Sequence, residues 1–156
     1  AGADKVSINS AAVRDPSLIA RMSQRFGAQC TVVAIDAKMT DGVFQVLTRS
    51  GTEAESLDAV KWAVAAEKLG AGEILLTSFD RDGTRSGYDL PMLTAVTSSC
   101  RLPVIASGGA DSVEHMVEAF EHGAHAVLAA SIFHDKNMTV AEVKRRLAAQ
   151  GIAVRI

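Results

Sequence analysis

Thr31-Val32-Val33-Ala34-Ile35-Asp36 stands just after the dipeptide Gly27-Ala28, and this stretch decides the fold. The run is short, unbroken and rich in β-branched residues, as expected of a strand buried on both faces. It ends on a polar residue. The same arrangement recurs with Gly2-Ala3 before Val6-Ser7-Ile8-Asn9 and Gly70-Ala71 before Ile74-Leu75-Leu76-Thr77-Ser78. It recurs again with Gly123-Ala124 before Ala126-Val127-Leu128-Ala129-Ala130-Ser131. A fifth run, Val104-Ile105-Ala106-Ser107, follows Pro103 instead. By this pattern the opening Ala1-Gly2-Ala3 is expected to be the end of a preceding helix.

Helical patterns fill the intervals. Asp15-Pro16 offers an N-cap and a proline for the first helical position. Leu18, Ile19, Met22 and Phe26 then form one face, and Gly27 suits the left-handed position past its end. Leu57, Val60, Val64 and Leu69 mark a second helix, closed by Gly70. Asp89 to Val96 gives a third, with Pro91 in its first turn. Asp111 and Glu114 have capping-box spacing before Val113, Met116, Val117 and Phe120. Thr139 and Glu142 repeat it before Val140, Val143 and Leu147.

Five alternations of buried strand and helix require a parallel sheet with helical crossovers. Either an open doubly wound sheet or part of a barrel would satisfy this. The chain has no Gly-x-Gly-x-x-Gly turn, and every strand ends on small or polar residues, which favours the barrel. Five units of roughly 30 residues scale to about 250 for eight, the usual barrel size. The expectation is one α/β domain over residues 1–156, the C-terminal five-eighths of a TIM-type (β/α)8 barrel, with three N-terminal βα units preceding it.

Composition excludes several classes. The 156 residues carry 16 Lys and Arg against 18 Asp and Glu, a net charge of −2, with 48% apolar residues. That balance is not the basic footprint of a nucleic-acid binder. No apolar run is long enough to span a membrane, and Asp4 and Lys5 interrupt any signal-peptide core. Cys30 and Cys100 have no paired spacing, so neither a zinc ribbon nor a disulfide framework is expected, and a reducing, cytoplasmic setting fits. No carboxylate–histidine cluster has metal-ligand spacing, and no metal or cofactor is expected. His115, His122 and His125 are expected on the surface. His134, near a strand end, is within reach of a ligand. Trp62 and Phe120 are assigned to packing.

In such a barrel, chemistry sits where the strands end. Those ends carry Asn9 and Ser10, Asp36, Thr77 and Ser78, Ser107-Gly108-Gly109, and Ala130-Ser131. Asp36 is the one ionisable group among them, suited to general acid or base work; a helix cap or a surface ion pair is the other reading. Ser107-Gly108-Gly109, with Ala130-Ser131 beside it, can turn successive N–H groups toward a phosphate; a tight turn that needs glycine is the alternative. Asn9-Ser10 is a second anion candidate. Lys38 to Thr52, with Asp41-Gly42 inside it, predicts a hairpin excursion. Asp80 to Tyr88 reads as a mobile lid over an anionic substrate, or as a solvated connection.

Several of these words are familiar together. Asp4-Lys5-Val6-Ser7-Ile8-Asn9, Val32-Val33-Ala34-Ile35-Asp36-Ala37-Lys38 and Gly70-Ala71-Gly72-Glu73-Ile74-Leu75-Leu76-Thr77 resemble the cyclase subunits of imidazole glycerol phosphate synthase. So do Asp80-Arg81-Asp82-Gly83-Thr84, Ser86-Gly87-Tyr88-Asp89, Ala106-Ser107-Gly108-Gly109-Ala110 and Ala129-Ala130-Ser131-Ile132-Phe133-His134. The resemblance runs in order along the whole chain. It implies a barrel of histidine biosynthesis that takes ammonia from a glutamine amidotransferase partner. The reaction turns a phosphoribulosyl-formimino aminoimidazole carboxamide ribonucleotide, phosphorylated at each end, into imidazole glycerol phosphate and the released carboxamide ribonucleotide. It also implies that Asp36 is one of two catalytic aspartates, the other lying on the first strand of the barrel, before this chain. Asn9 and Ser10 fall on one phosphate site. Gly83, Gly108, Gly109, Ala130 and Ser131 fall on or beside the other, with Thr77, Asp82 and Ser107 in the substrate-binding set. Asp4, Lys5 and Glu73 correspond to the opposite end, where the partner docks and ammonia enters. Two other functions remain in view: the sister isomerase barrel that makes this substrate, and a non-catalytic phosphate-binding half-barrel that self-associates through its open sheet edges.

Overall fold

The computed structural model describes residues 2–135 and 138–155. Ala1, where the sequence predicts a helix end, lies outside them. The described chain folds as β1 (Val6–Ile8), α1 (Ser10–Arg14), α2 (Ser17–Phe26), β2 (Thr31–Thr40), β3 (Val43–Thr48), β4 (Glu53–Asp58) and α3 (Ala59–Lys68). It continues through β5 (Glu73–Ser78), α4 (Leu90–Thr97), β6 (Val104–Ser107), α5 (Val113–Glu121), β7 (Ala126–Val127), α6 (Ser131–His134) and α7 (Val140–Ala149).

β1, β2, β5, β6 and β7 are parallel and pair in that order, the expected βα succession. Register fixes which residues share a face. Asp36 lies opposite Thr77, and Thr77 opposite Ser107. One face buries Val33, Ile35 and Ala37 of β2, Ile74 and Leu76 of β5, and Val104 and Ala106 of β6. These meet Ile19, Trp62, Ala63, Met92, Leu93, Val96, Met116 and Ala119 from the helices in one core. The other face carries Ala34, Asp36, Leu75, Thr77, Ile105 and Ser107, all half-buried. Apart from Val32, buried near the start of β2, that face is only half covered, whereas unbroken apolar runs predict burial on both. In a barrel, the second face lines the lumen.

The chain departs from simple alternation after Asp36. β2 runs on to Thr40, so Asp36 sits within a strand and not at its last residue. Asp41 and Gly42 both have positive φ, +48° and +80°, as a two-residue hairpin turn demands, and β3 returns antiparallel along β2. The hairpin is therefore present as predicted. β4 then pairs with β3. Its sequence, Glu53-Ala54-Glu55-Ser56-Leu57-Asp58, has no apolar alternation, and Leu57, assigned above to a helix, belongs to it. β7 is shorter than predicted: Leu128 to Ser131 leave the ladder, although the Leu128 N–H still donates to the Ala106 carbonyl.

Caps explain where helices begin. Asp58, Asp89 and Thr139 each accept a backbone N–H at N-cap positions, and Thr139 with Glu142 completes a capping box. Two predicted caps fail. Asp15 ends α1, its N–H donating to Ala11, and its carboxylate takes the Ser17 hydroxyl and the Arg21 guanidinium instead. α5 starts one residue later than the Asp111–Glu114 spacing implies, so Ser112 is its cap, accepting from the His115 N–H. No helix of the described residues is long and apolar enough to cross a membrane.

Candidate active site

Asn9, just after β1, donates its Nδ2 proton to Asp36 Oδ2 at 2.8 Å. The oxygen of that amide, Asn9 Oδ1, is buried with no partner among the described residues. Burial raises the Asp36 carboxyl above its ordinary pKa of 3.8. Hydrogen bonds from Asn9 and Thr77 work against the rise, and the negative charge of Asp82 adds to it. A carboxyl whose pKa is raised, held in one orientation on the half-buried face of the sheet, is equipped to take and return a proton. The helix-cap and surface-pair readings of Asp36 do not apply, since its partners are Asn9 and Thr77.

Ser10 is engaged differently. Its Oγ accepts the Arg49 N–H at 2.9 Å, which anchors the β3–β4 turn to the start of α1. In that turn Arg49, Ser50 and Gly51 all have positive φ, and the Phe79 ring occupies the space a Gly51 Cβ would need. The sequence gives no warning of this contact. The hydroxyl keeps its own proton to donate.

Two strands along from Asp36, a recess of about 50 Å³ opens at the ends of β6 and β7. Asp82, Gly83, Arg85, Ser107 to Ala110 and Leu128 to Ser131 line it. It thus gathers Asp82, Gly83, Ser107, Gly108, Gly109, Ala130 and Ser131 from three loops. Glycine is required twice by geometry: a Cβ on Gly109 would stand 2.2 Å from the Gly87 carbonyl oxygen, and one on Gly108 would stand 2.7 Å from that of Ser78. Both have φ above +90°. The tight-turn and anion readings are therefore compatible, because the turn that needs glycine is the wall of the recess. The N–H groups of Gly83, Gly108 and Gly109 donate to no backbone carbonyl among the described residues.

The segment from Asp80 to Tyr88 is pinned along its length. Asp80 accepts the Met39 N–H at 2.6 Å, the Asp82 N–H donates to the Ser78 carbonyl, and the Gly87 N–H donates to Gly109 at 2.9 Å. Tyr88 is buried, and its hydroxyl donates to the Leu128 carbonyl at 2.9 Å. Burial pushes that phenol far above its usual pKa, so it keeps its proton. These ties fit neither the mobile lid nor the merely solvated connection of the two sequence readings: the segment is exposed from Asp82 to Ser86 but fastened on both sides.

At the opposite end of the strands, Lys5 and Glu73 form an ion pair across β2. Glu73 is mostly covered, Lys5 is exposed, and Asp4 beside it is exposed. The structure therefore separates the predicted residues into Asn9, Ser10, Asp36 and Thr77, the recess, and the Asp4–Lys5–Glu73 end. His134 is exposed on α6 and does not line the recess. His115, expected on the surface, is half-buried, with Nδ1 accepting the Asp111 N–H. A larger concavity, about 440 Å³, runs along α7 beside Met138, Glu142, Arg145, Arg146 and Ala149 and contains none of the strand-end groups.

Parallel βα units that collect a carboxyl and a glycine-walled polar recess toward the C-terminal side of their sheet are those of a TIM-type barrel protein. Within that class, the chain belongs to the family of histidine biosynthesis proteins, whose model matches residues 1–139. It is 58% identical over its whole length to the imidazole glycerol phosphate synthase subunit HisF of Pyrobaculum aerophilum, spanning 62% of that protein. The proteins of the same name from Endomicrobium trichonymphae and Dehalococcoides mccartyi are 56% and 57% identical, over 99% and 100% of this chain and 60% and 62% of their own lengths. The chain thus spans about three-fifths of the length of these relatives.

Proposed function

We propose that this chain forms the C-terminal five βα units of the cyclase of imidazole glycerol phosphate synthase. Ammonia released by a glutamine amidotransferase partner adds to the formimino carbon of the bisphosphorylated substrate. The amine of the carboxamide ribonucleotide is expelled, and the imidazole ring closes onto the ribulosyl ketone carbon, whose oxygen leaves as water. Each event moves a proton, and Asp36 serves as acid or base together with a second aspartate from the units that precede it. The recess at Gly83, Gly108, Gly109, Ala130 and Ser131 receives one phosphate, and Asn9 and Ser10 help to receive the other. Lys5 and Glu73, with Asp4, stand where the partner docks and ammonia enters. A cytoplasmic setting goes with the two free cysteines.

The observation that carries this reading is the Asp36 carboxyl, raised by burial and oriented by Asn9, in one cross-strand row with Thr77 and the recess residue Ser107. The names of the relatives supply the enzyme, imidazole glycerol phosphate synthase, and the resemblance of the motifs supplies the reaction. Asp36→Asn, in a barrel completed with the N-terminal units of a relative and assayed with an ammonium salt, should lose roughly 10²–10⁴ in turnover. Turnover close to that of the unmutated barrel would remove Asp36 from the chemistry.

A further inference from the structure

The recess wall is built mainly of small residues and backbone. Among its described lining residues, Arg85 is the sole cation, and Asp82 is a carboxylate. Arg85 has positive φ, +62°, a conformation that a residue other than glycine keeps only where its surroundings hold it. Its guanidinium does not point away into solvent unpaired. It binds Asp135, at the end of α6, fifty residues further along the chain. Arg85 thus belongs to the loop after β5 and Asp135 to the segment after β7, and their ion pair straps together two of the loops that form the recess.

The pair is weakly committed. Both side chains are substantially exposed, 51% and 38%. Exposed single ion pairs contribute little, because water competes for both charges and the side chains lose freedom in pairing. A phosphate dianion offers more. It carries up to two charges on oxygens spaced for the guanidinium fork, and charge-assisted bonds of that kind are among the stronger hydrogen bonds in proteins. A phosphate entering this recess would also meet Asp82 and therefore needs a compensating cation, which Arg85 alone among these residues can supply.

We propose that Arg85 is a phosphate latch: its guanidinium exchanges Asp135 for the phosphate group of the substrate. The inference rests on the reading of the recess as a phosphate site. It adds a cationic ligand to a wall otherwise made of backbone, small residues, serine hydroxyls and the Asp82 carboxylate, and it makes Asp135 a competitor that limits affinity. Arg85 is accordingly a binding residue and Asp135 acts only through it.

The probe is inorganic phosphate, titrated at constant ionic strength into the 156-residue chain while the amide resonances of Gly83, Gly108 and Gly109 are followed by NMR. Arg85→Ala should weaken binding by about tenfold, and Arg85→Lys by less, since it keeps the charge and loses the fork. Asp135→Asn should tighten binding by about threefold, in keeping with the small worth of an exposed pair. In the double variant that gain should vanish, leaving the affinity of Arg85→Ala alone. A gain from Asp135→Asn that persists without Arg85 would make Asp135 a remote charge and overturn the latch. Unchanged affinity in Arg85→Ala, with binding abolished in Gly109→Asp, would leave the recess a phosphate site and reduce Arg85 to a bystander. If the unmutated chain showed no response, the phosphate reading would fall and the latch with it. Amide dispersion in each spectrum reports whether the variant is folded.

Discussion

The side-chain amide of Asn9 and the carboxylate of Asp36 are joined by one 2.8 Å hydrogen bond between the end of β1 and the middle of β2. The bond stabilises the charged form of Asp36 and so opposes the effect of burial. Asn9→Ala removes the donor and leaves the desolvation. The Asp36 carboxyl should then titrate at a still higher pH than in the unmutated chain. Carboxyl-detected NMR titration measures this directly, and an unchanged or lower midpoint would show that Asn9 does not tune Asp36.

The same shift has a consequence for stability. Asp36 holds its proton to higher pH in the folded chain than in the unfolded one. Between the ordinary carboxylate value and the raised one, the folded state binds more protons, so this residue makes stability fall as pH rises through that window. Above the raised value the folded chain carries a partly desolvated charge. Asp36→Asn removes it and keeps an acceptor for Asn9, while its new N–H₂ gains the unpartnered Asn9 Oδ1 as a candidate acceptor. The variant should therefore melt at a higher temperature than the unmutated chain at neutral pH, and the advantage should shrink in acid below the ordinary carboxylate value. A lower melting temperature at neutral pH would mean that the ionised form is favoured by the fold.

How far these groups are visible in the sequence depends on how local their causes are. The parallel strands declare themselves because apolar runs such as Thr31–Ile35 need buried neighbours on a sheet, and Asp41-Gly42 declares a hairpin because few other dipeptides accept two positive φ values. β4 is hidden because an edge strand as polar as Glu53–Asp58 gains its pairing from β3, not from its own pattern. The residues of the recess are legible as strand ends, but Arg85 and Asp135 become one feature only when the loops after β5 and β7 meet. The failed Asp111–Glu114 box has a similar cause: the spacing is right, but the helix starts one residue later, where Ser112 is available.

Glycine at the recess should show two distinct costs. Gly83 has φ of +75° and open space where a Cβ would go, so Gly83→Ala meets only backbone strain, about 1–2 kcal/mol. Gly109 has positive φ and also the Gly87 carbonyl 2.2 Å from the Cβ position, and that carbonyl belongs to backbone that cannot rotate away. Gly109→Ala should destabilise by roughly 2–5 kcal/mol, strain and overpacking together. Urea unfolding of the two variants gives the comparison, and equal losses would mean that the Gly87–Gly109 contact yields at little cost.

Tyr88 links the loop after β5 to the recess from behind. Its buried hydroxyl donates to the Leu128 carbonyl, and Leu128 lines the recess with Ala129, Ala130 and Ser131. Tyr88→Phe keeps the ring and leaves that carbonyl without its donor, which should cost about 1–3 kcal/mol in urea unfolding. Because burial keeps the phenol protonated, the loss should be the same at neutral and mildly alkaline pH. A loss that disappeared on moving from neutral to mildly alkaline pH would show that the hydroxyl ionises there and that its bond is not the cause.

The Lys5–Glu73 pair lies at the other end of the sheet and separates two explanations by the source of nitrogen. Glu73 is well covered and Lys5 is exposed, so the pair as a stabilising contact is worth about 0–1 kcal/mol. If that were its whole role, Lys5→Ala would lower stability slightly and affect all assays alike. In the proposed cyclase the pair stands instead where ammonia passes from the partner into the lumen. Free ammonium salt equilibrates with the lumen from bulk solvent and does not need that passage to be sealed. Ammonia made from glutamine does, because any opening at the join lets it escape before it reaches the substrate. In the completed barrel with its amidotransferase, Lys5→Ala should therefore reduce glutamine-dependent turnover several-fold more than ammonium-dependent turnover. Glu73→Gln, which keeps the shape and loses the charge, should act in the same direction. Equal losses with the two nitrogen sources would return Lys5 and Glu73 to a structural role at the base of the sheet.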